Sequence, residues 1–363
     1  MSKYTREHIN SVLAHFNLDG IESCEPYGNG HINDTYLVVC KNQNGTERYI
    51  LQSINGSVFP EPKKVIQNIE KVTAFLSKKI TDKRALLSLV PTKDGEHCHL
   101  DADGRCWRIY NFIEDSLCLE NPENAEDFYQ CAVAFGQFQK NLSDFPAKEL
   151  FETIADFHNT PKRYNDFLTA VAEDKVGRAA NVREEIEFIK ARADFYSVLY
   201  DYNKRGELPL RVTHNDTKSN NVMLDAATHK ALCVIDLDTI MPGFSVTDFG
   251  DAIRFGANTA AEDETDLSKV QLDLDLFTAY VEGYIEGCGG LIEKNEILLL
   301  PEGSKMMTIE CGMRFLGDYL NGDTYFKTKY PEHNLVRCRT QLKLVGEMEK
   351  HWDTMKNIVK KYI

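Results

Sequence analysis

His214-Asn215-Asp216-Thr217-Lys218-Ser219-Asn220-Asn221, followed fifteen residues later by Asp236, is the stretch from which the rest of the chain is read. Asn221-Val222-Met223-Leu224 has strand character, Asp225 to Lys230 is turn-like, and Ala231-Leu232-Cys233-Val234-Ile235 is an apolar run that ends in an acid. A hairpin folded about its midpoint sets Asn221 opposite Asp236. Asp216 is then a carboxylate placed to take a proton from a hydroxyl. Asn221 and Asp236 offer two oxygens to one Mg²⁺, an ion that needs few protein ligands when phosphate and water complete its shell. A polar loop beside an inert edge hairpin explains each piece singly, but not the joint spacing.

Base, metal-binding Asn and metal-binding Asp in this order form the catalytic loop of kinases. Asp248-Phe249-Gly250 matches a kinase string literally. The hairpin already fills that role with Asp236, so Asp248 is read as a helix cap or loop-stabilising carboxylate. Asp238 shares the face of Asp236 by alternation and is a candidate to ligate a second metal or to orient the first ligand. Upstream, Tyr27-Gly28-Asn29-Gly30-His31-Ile32-Asn33-Asp34 puts two glycines in a loop leading into a strand. Glycine lets backbone N–H groups approach phosphate closely. No third glycine opens a helix there, which excludes a dinucleotide fingerprint. Asn33 either faces the cleft or caps the turn. On the following strand, Gln52 stands where a kinase carries its phosphate-holding lysine, and Arg48 projects to the same face. Either is a candidate for phosphate contact.

The 363 residues suffice for two lobes, with 42% hydrophobic and 27% charged residues as in ordinary globular enzymes. A net charge of −14 argues against nucleic acid or an anionic membrane as partner. No run approaches membrane-spanning length and the first ten residues do not read as a secretory signal. Ten cysteines without Cys-x-x-Cys or zinc spacing point to a reducing compartment, with cytoplasm the expectation. Short strands separated by turns dominate from Ile21 to Phe112, interrupted by a helix over 63–79 and preceded by one over 3–18. Longer helical patterns follow at 124–142, 161–175, 182–204, 269–288 and 304–320. The expected fold is therefore α+β and bilobal: a β-rich lobe over 1–110, a hinge at 111–115 and a mainly helical lobe over 116–363.

Together these residues resemble the aminoglycoside phosphotransferase and choline kinase superfamily, whose fold is protein-kinase-like. Further segments are similar to the N-acetylhexosamine 1-kinases within it: Glu25 to Asn33, Arg211 to Asn221, Ile235 to Gly243, Glu310 to Leu316 and Thr328 to Arg337. That resemblance spans nearly the whole chain. It implies ATP- and Mg²⁺-dependent phosphorylation of the anomeric hydroxyl of N-acetylglucosamine or N-acetylgalactosamine. Asp216 would be the base, Asn221 and Asp236 the metal ligands, and Gly28, Asn29, Gly30 and Asn33 the triphosphate cover. Tyr110 and Phe112 would border adenine, and Lys218 would offset phosphoryl charge. The resemblance also points to the helix of Arg314 and Asp318 for sugar contacts; the Tyr325 ring suits either a sugar's apolar face or a core, and His31 either reaches the N-acetyl group or is a plain loop residue. Arg314 and Asp318, four apart on a helix, are equally readable as a structural ion pair. Choline, homoserine and aminoglycoside kinases, and a non-catalytic nucleotide-responsive module, are the alternative readings.

Overall fold

The computed structural model describes residues 3–28, 32–43, 45–122 and 124–363. The smaller lobe begins with helix α1 (Arg6–Leu13), capped by the Thr5 side chain on the His8 N–H, and strands β1 (Ile21–Pro26), β2 (Asp34–Asn42) and β3 (Gly45–Ser53). Helix α2 (Pro62–Leu76) follows, starting on a proline whose missing N–H costs nothing in a first turn. Strands β4 (His99–Leu100) and β5 (Cys106–Asn111) complete an antiparallel sheet in the order β1-β2-β3-β5-β4. One face packs on α1 through Val38, Leu51, Trp107 and Ile109, and the other meets α2 through Ile54, Ile66 and Ile69. Between α2 and β4 the chain forms a 3₁₀ turn at Lys83–Ala85 and a single bridge from Leu89 to Tyr110.

The chain then crosses through Phe112–Asp115, Asp115 taking a left-handed φ of +50°, into β6 (Ser116–Cys118). Beyond it lie α3 (Ala125–Asn141), α4 (Thr160–Glu173), α5 (Arg183–Lys190) and α6 (Val198–Lys204), then β7 (Arg211–Thr213), β8 (Val222–Asp225), β9 (Ala231–Val234) and β10 (Met241–Gly243). The lobe closes with α7 (Ser245–Gly256), α8 (Leu274–Cys288), α9 (Lys294–Leu298), α10 (Leu300–Leu320), α11 (His333–Lys350) and α12 (Trp352–Val359). The single helix expected over 182–204 is thus broken, because Arg192 to Ser197 turn through a 3₁₀ segment. The last two helices are not singled out by the sequence spacing.

This is the bilobal α+β architecture of the protein-kinase fold. In the large lobe, α7 and α10 touch backbone to backbone: a Cβ on Gly250 would overlap the Gly303 carbonyl, and one on Gly303 the Val246 carbonyl. Gly250 therefore serves helix packing, and that close approach fixes the helix carrying Asp248 and Asp251 beneath the 214–221 loop.

Candidate active site

The loop after β7 is held from below by α7. Asp248, fully buried, accepts the N–H groups of His214 (2.7 Å) and Asn215 (2.8 Å), and Asp251 accepts that of Thr217 (3.1 Å). Asp248 thus acts as a loop-stabilising carboxylate from within the helix, in its first turn but not at its cap. Burial pushes its carboxyl up to about 6, against the pull of the two N–H bonds. His214 donates to the Ile235 carbonyl (2.8 Å) with its ring edge-on to Phe135, so it ties the loop to the end of β9. Asn215, at φ +64°, donates its amide to the Thr239 carbonyl (2.7 Å). These bonds leave Asp216 as the partly exposed side chain at the apex.

Around Asp216 the structure gathers three of the residues expected there. Asn221 Nδ2 donates to the Asp216 carbonyl (2.8 Å) and carboxylate (3.1 Å), which turns its amide oxygen outward. Lys218 Nζ lies 3.2 Å from the Asp216 carboxylate. Burial works against its charge, but Asp216 more than offsets this and its pKa is raised. The hairpin register differs from the midpoint reading by one residue. Val222 pairs with Val234 and Ile235 N–H donates to the Asn221 carbonyl, so Asn221 faces Ile235 and not Asp236. A bulge after Met223 absorbs the odd residue, and Asp236, at φ +58°, swings off the strand. Burial, then the charges of Asp238 and Asp216, push its carboxyl up to about 7.

That crowding of acids is the mark of a site short of positive charge, and Tyr110 adds a buried hydroxyl without a hydrogen-bond partner among the described residues. The residues fit a divalent cation. No cage of three or more His, Cys, Asp or Glu exists among the described residues. The fit is to an ion held by Asn221 and Asp236 and completed by phosphate and water, as Mg²⁺ prefers.

One cation of the site was not anticipated. Arg108, in the middle of β5 and 0% exposed, pairs with Asp238 and donates twice to Gln52 Oε1 (3.1 and 2.8 Å). An arginine inside the apolar run Cys106-Trp107-Arg108-Ile109-Tyr110 was the available signal, since a charge there demands a buried partner. Asp238 also accepts from Asn33 (2.7 Å), while Asn33 Oδ1 takes the Asn55 N–H (3.0 Å). Asn33 hence joins the glycine-loop exit to the segment after Asp236.

Several expectations for the nucleotide side change. Gln52 spends its amide on Arg108 and Thr35 and is not a free phosphate ligand. Arg48 shares its face but lies about 13 Å along an extended strand. It pairs with Glu114, with its guanidinium 4.1 Å above the Phe112 ring, and so belongs to the lobe connection. Tyr110 is buried and bridged on both sides, to Ile50 and Leu89, so its backbone does not face a base. The Phe112 N–H is taken by the Arg48 carbonyl (3.1 Å), which leaves the backbone of 113–114 and the rings of Phe112 and Tyr27, 6.0 Å apart, at that edge. Gly28 has φ +73°, a left-handed value that favours glycine. Asn29, Gly30 and His31 lie outside the described residues.

On α10, Arg314 does not pair with Asp318. The Asp318 carboxylate is filled by the N–H groups of Thr324, Tyr325 and Phe326 and by Asn334 Nδ2 (2.8–2.9 Å), which shape the loop after α10. Arg314 rests among the rings of Phe157, Phe326 and Tyr325 at 5.3, 5.6 and 5.9 Å, and Tyr325 is 64% exposed. Below it, buried Glu310 binds His158 Nδ1 (2.8 Å), whose Nε2 donates to the Asn215 carbonyl (3.2 Å). The Arg314 helix is thereby tied to the 214–221 loop through His158, a residue that sequence reading passed over.

The profile of the phosphotransferase enzyme family matches residues 23–280, and the chain belongs to that family, which takes in the aminoglycoside phosphotransferases and choline kinase-like enzymes. By family it is a phosphotransferase. Solved structures share the fold across their full length. A microcompartment-associated aminopropanol kinase has a TM-score of 0.65 at 15% identity, over 96% of this chain and 98% of that one. A spectinomycin phosphotransferase, solved with ADP and spectinomycin, gives 0.62 at 11% identity over 96% and 100%. A choline kinase from Cryptosporidium parvum gives 0.57 at 13% identity over 99% of each.

Proposed function

We propose that the chain is an N-acetylhexosamine 1-kinase, transferring the terminal phosphoryl group of ATP to the anomeric hydroxyl of N-acetylglucosamine or N-acetylgalactosamine. The observation that carries this reading is the cluster tied to the 214–221 loop through Glu310 and His158: Arg314 among Phe157, Tyr325 and Phe326, a guanidinium and aromatic faces suited to a hexose's hydroxyls and its apolar side. The nucleotide belongs on the opposite side, between the glycine loop and residues 113–114; the spectinomycin enzyme was itself solved with ADP.

In this reading Asp216 accepts the hydroxyl proton as the new P–O bond forms. Asn221 fixes the Asp216 carboxylate through its amide N–H, and Lys218 Nζ lies beside it at 3.2 Å. Asn221 and Asp236 would hold a Mg²⁺ ion, which supplies charge neutralisation on the phosphates. Arg108 holds Asp238 and so sets the direction of the Asp236 segment. Positioning and electrostatics provide most of the acceleration in such transfers.

ATP consumption against a panel of N-acetylhexosamines, choline, ethanolamine, homoserine and an aminoglycoside tests the proposal. Turnover of N-acetylhexosamines above the rest is expected. Turnover confined to an amine acceptor overturns the sugar assignment, and silence with every acceptor favours a binding module.

A further inference from the structure

His158, in the segment before α4, is held between two acceptors. Its Nδ1 lies 2.8 Å from Glu310 Oε1, and its Nε2 lies 3.2 Å from the Asn215 carbonyl. A carbonyl only accepts, and so does a carboxylate once ionised. Glu310 meets that condition. Burial opposes its charge, but the bonds from His158 and the Thr160 hydroxyl, with the charges of His158 and Arg314, hold its carboxyl below the usual range. A neutral imidazole has one N–H and would turn a lone pair toward one of these two acceptors. Both bonds together need a proton on each nitrogen, which makes His158 an imidazolium. His333 is the contrasting case. Its Nδ1 accepts the Lys329 N–H (3.2 Å), so a single proton on Nε2 serves Asp263 (3.1 Å).

The charges around His158 come from two helices. On α10, Glu310 binds it and Arg314 stands one turn further; on α7, the charge of His158 favours ionisation of buried Asp248 and Asp251. The carbonyl it grips belongs to the peptide joining Asn215 to Asp216. Asn215 is fixed on its other side by Asp248 at its N–H (2.8 Å) and by the Thr239 carbonyl at its amide (2.7 Å), with φ at +64°. A left-handed φ of this kind persists where the surrounding contacts determine it. A tilt of that peptide swings the Asp216 side chain, and a misplacement of about 1 Å costs up to about 10²-fold in rate.

We propose that His158 is a positioning residue, kept doubly protonated by Glu310, whose Nε2–H fixes the Asn215–Asp216 peptide and so aims the Asp216 carboxylate at the acceptor hydroxyl. This rests on the reading of Asp216 as the base and is independent of which acceptor is phosphorylated.

The test joins nitrogen NMR of histidine-labelled enzyme at neutral pH to steady-state kinetics. The His158 signals are assigned by their loss in His158→Phe and His158→Gln. Kinetics use ATP and whichever acceptor of the panel above wild type turns over best. Wild type should carry protons on both His158 nitrogens. His158→Phe should lose roughly 10–10²-fold in kcat with KM for ATP unchanged. Glu310→Gln, whose amide can donate to Nδ1, should leave a neutral ring with its one N–H on Asn215, and should lose clearly less kcat than His158→Phe. Where the phenylalanine variant fails to fold, the protonation of wild type and of Glu310→Gln still decides. A single protonated nitrogen in wild type, or two in Glu310→Gln, overturns the proposal. So does wild-type kcat in His158→Phe, or an equal kcat loss in Glu310→Gln. Silence of wild type with every acceptor removes the reading of Asp216 as base, and the proposal with it. The sugar assignment can fail, by turnover confined to an amine acceptor, without altering any of these results.

Discussion

Arg108 and Asp238 form an ion pair fully withdrawn from water, joining the fourth of five strands in the small lobe to the segment that follows Asp236. Burial opposes charge on Arg108, but Asp238 overcomes it and raises the arginine's pKa further. With Gln52 and Asn33 bound to the same two side chains, this pair couples the sheet, the glycine-loop exit and the acidic cluster.

Removing one member should therefore cost more than a surface pair would. Arg108→Met leaves Asp238 buried without a counter-charge, a loss of about 3–5 kcal/mol. Thermal unfolding should show it, and nucleotide affinity by calorimetry should fall too. A variant with unchanged Tm would contradict the pairing; Arg108→Met combined with Asp238→Leu should recover part of the stability.

The carboxylate under the loop makes a pH prediction. Asp248 has a folded pKa of about 6 against 3.8 in its ordinary state, so the folded protein binds the extra proton between those values. Its contribution to stability is present below pH 3.8 and declines by up to about 3 kcal/mol as pH rises through 6. Over that window wild type should lose stability relative to Asp248→Asn, because the amide does not titrate. Denaturant unfolding at several pH values measures this, and a difference that grows in favour of wild type with rising pH would refute it.

Gly250 tests the close approach of α7 and α10. Alanine is the better helix former by about 1 kcal/mol, which on propensity alone predicts a more stable protein. The Gly303 carbonyl occupies the place of the new methyl. Overpacking of about 1–3 kcal/mol or more should win. Gly250→Ala should melt several degrees lower and lose activity, since α7 carries Asp248 and Asp251. A higher Tm would show that the helices separate freely.

Much of the fold was legible because its signals are local: turn dipeptides, strand alternation, and the apolar spacing that predicts helices over 124–142 and 304–320, found at Ala125–Asn141 and Leu300–Leu320. That Asp216, Lys218 and Asn221 come together was legible for the same reason, since they lie within six residues. What escaped was set by distant contacts. Arg48 and Gln52 look equivalent on one strand face, yet Glu114 claims the first and Arg108 the second. Arg314 and Asp318 have ion-pair spacing, but three loop N–H groups outcompete the guanidinium for the carboxylate. The turn closes at Asp225–Lys230, ahead of the midpoint, and the bulge after Met223 recovers only one residue, so Asn221 faces Ile235; no periodicity announces either.

Asp216 is where the proposed activity is most exposed to test. Asp216→Asn should keep nucleotide affinity and Tm while losing roughly 10²–10⁴-fold in kcat. Retained turnover would remove its role as base.

The most direct measurement is phosphorus NMR of the product formed from ATP and N-acetylglucosamine, read for coupling of phosphorus to the anomeric proton. The account predicts a sugar 1-phosphate, with that coupling present and no 6-phosphate signal. Phosphate on any other oxygen, or no sugar phosphate while an amine acceptor is phosphorylated, would contradict it.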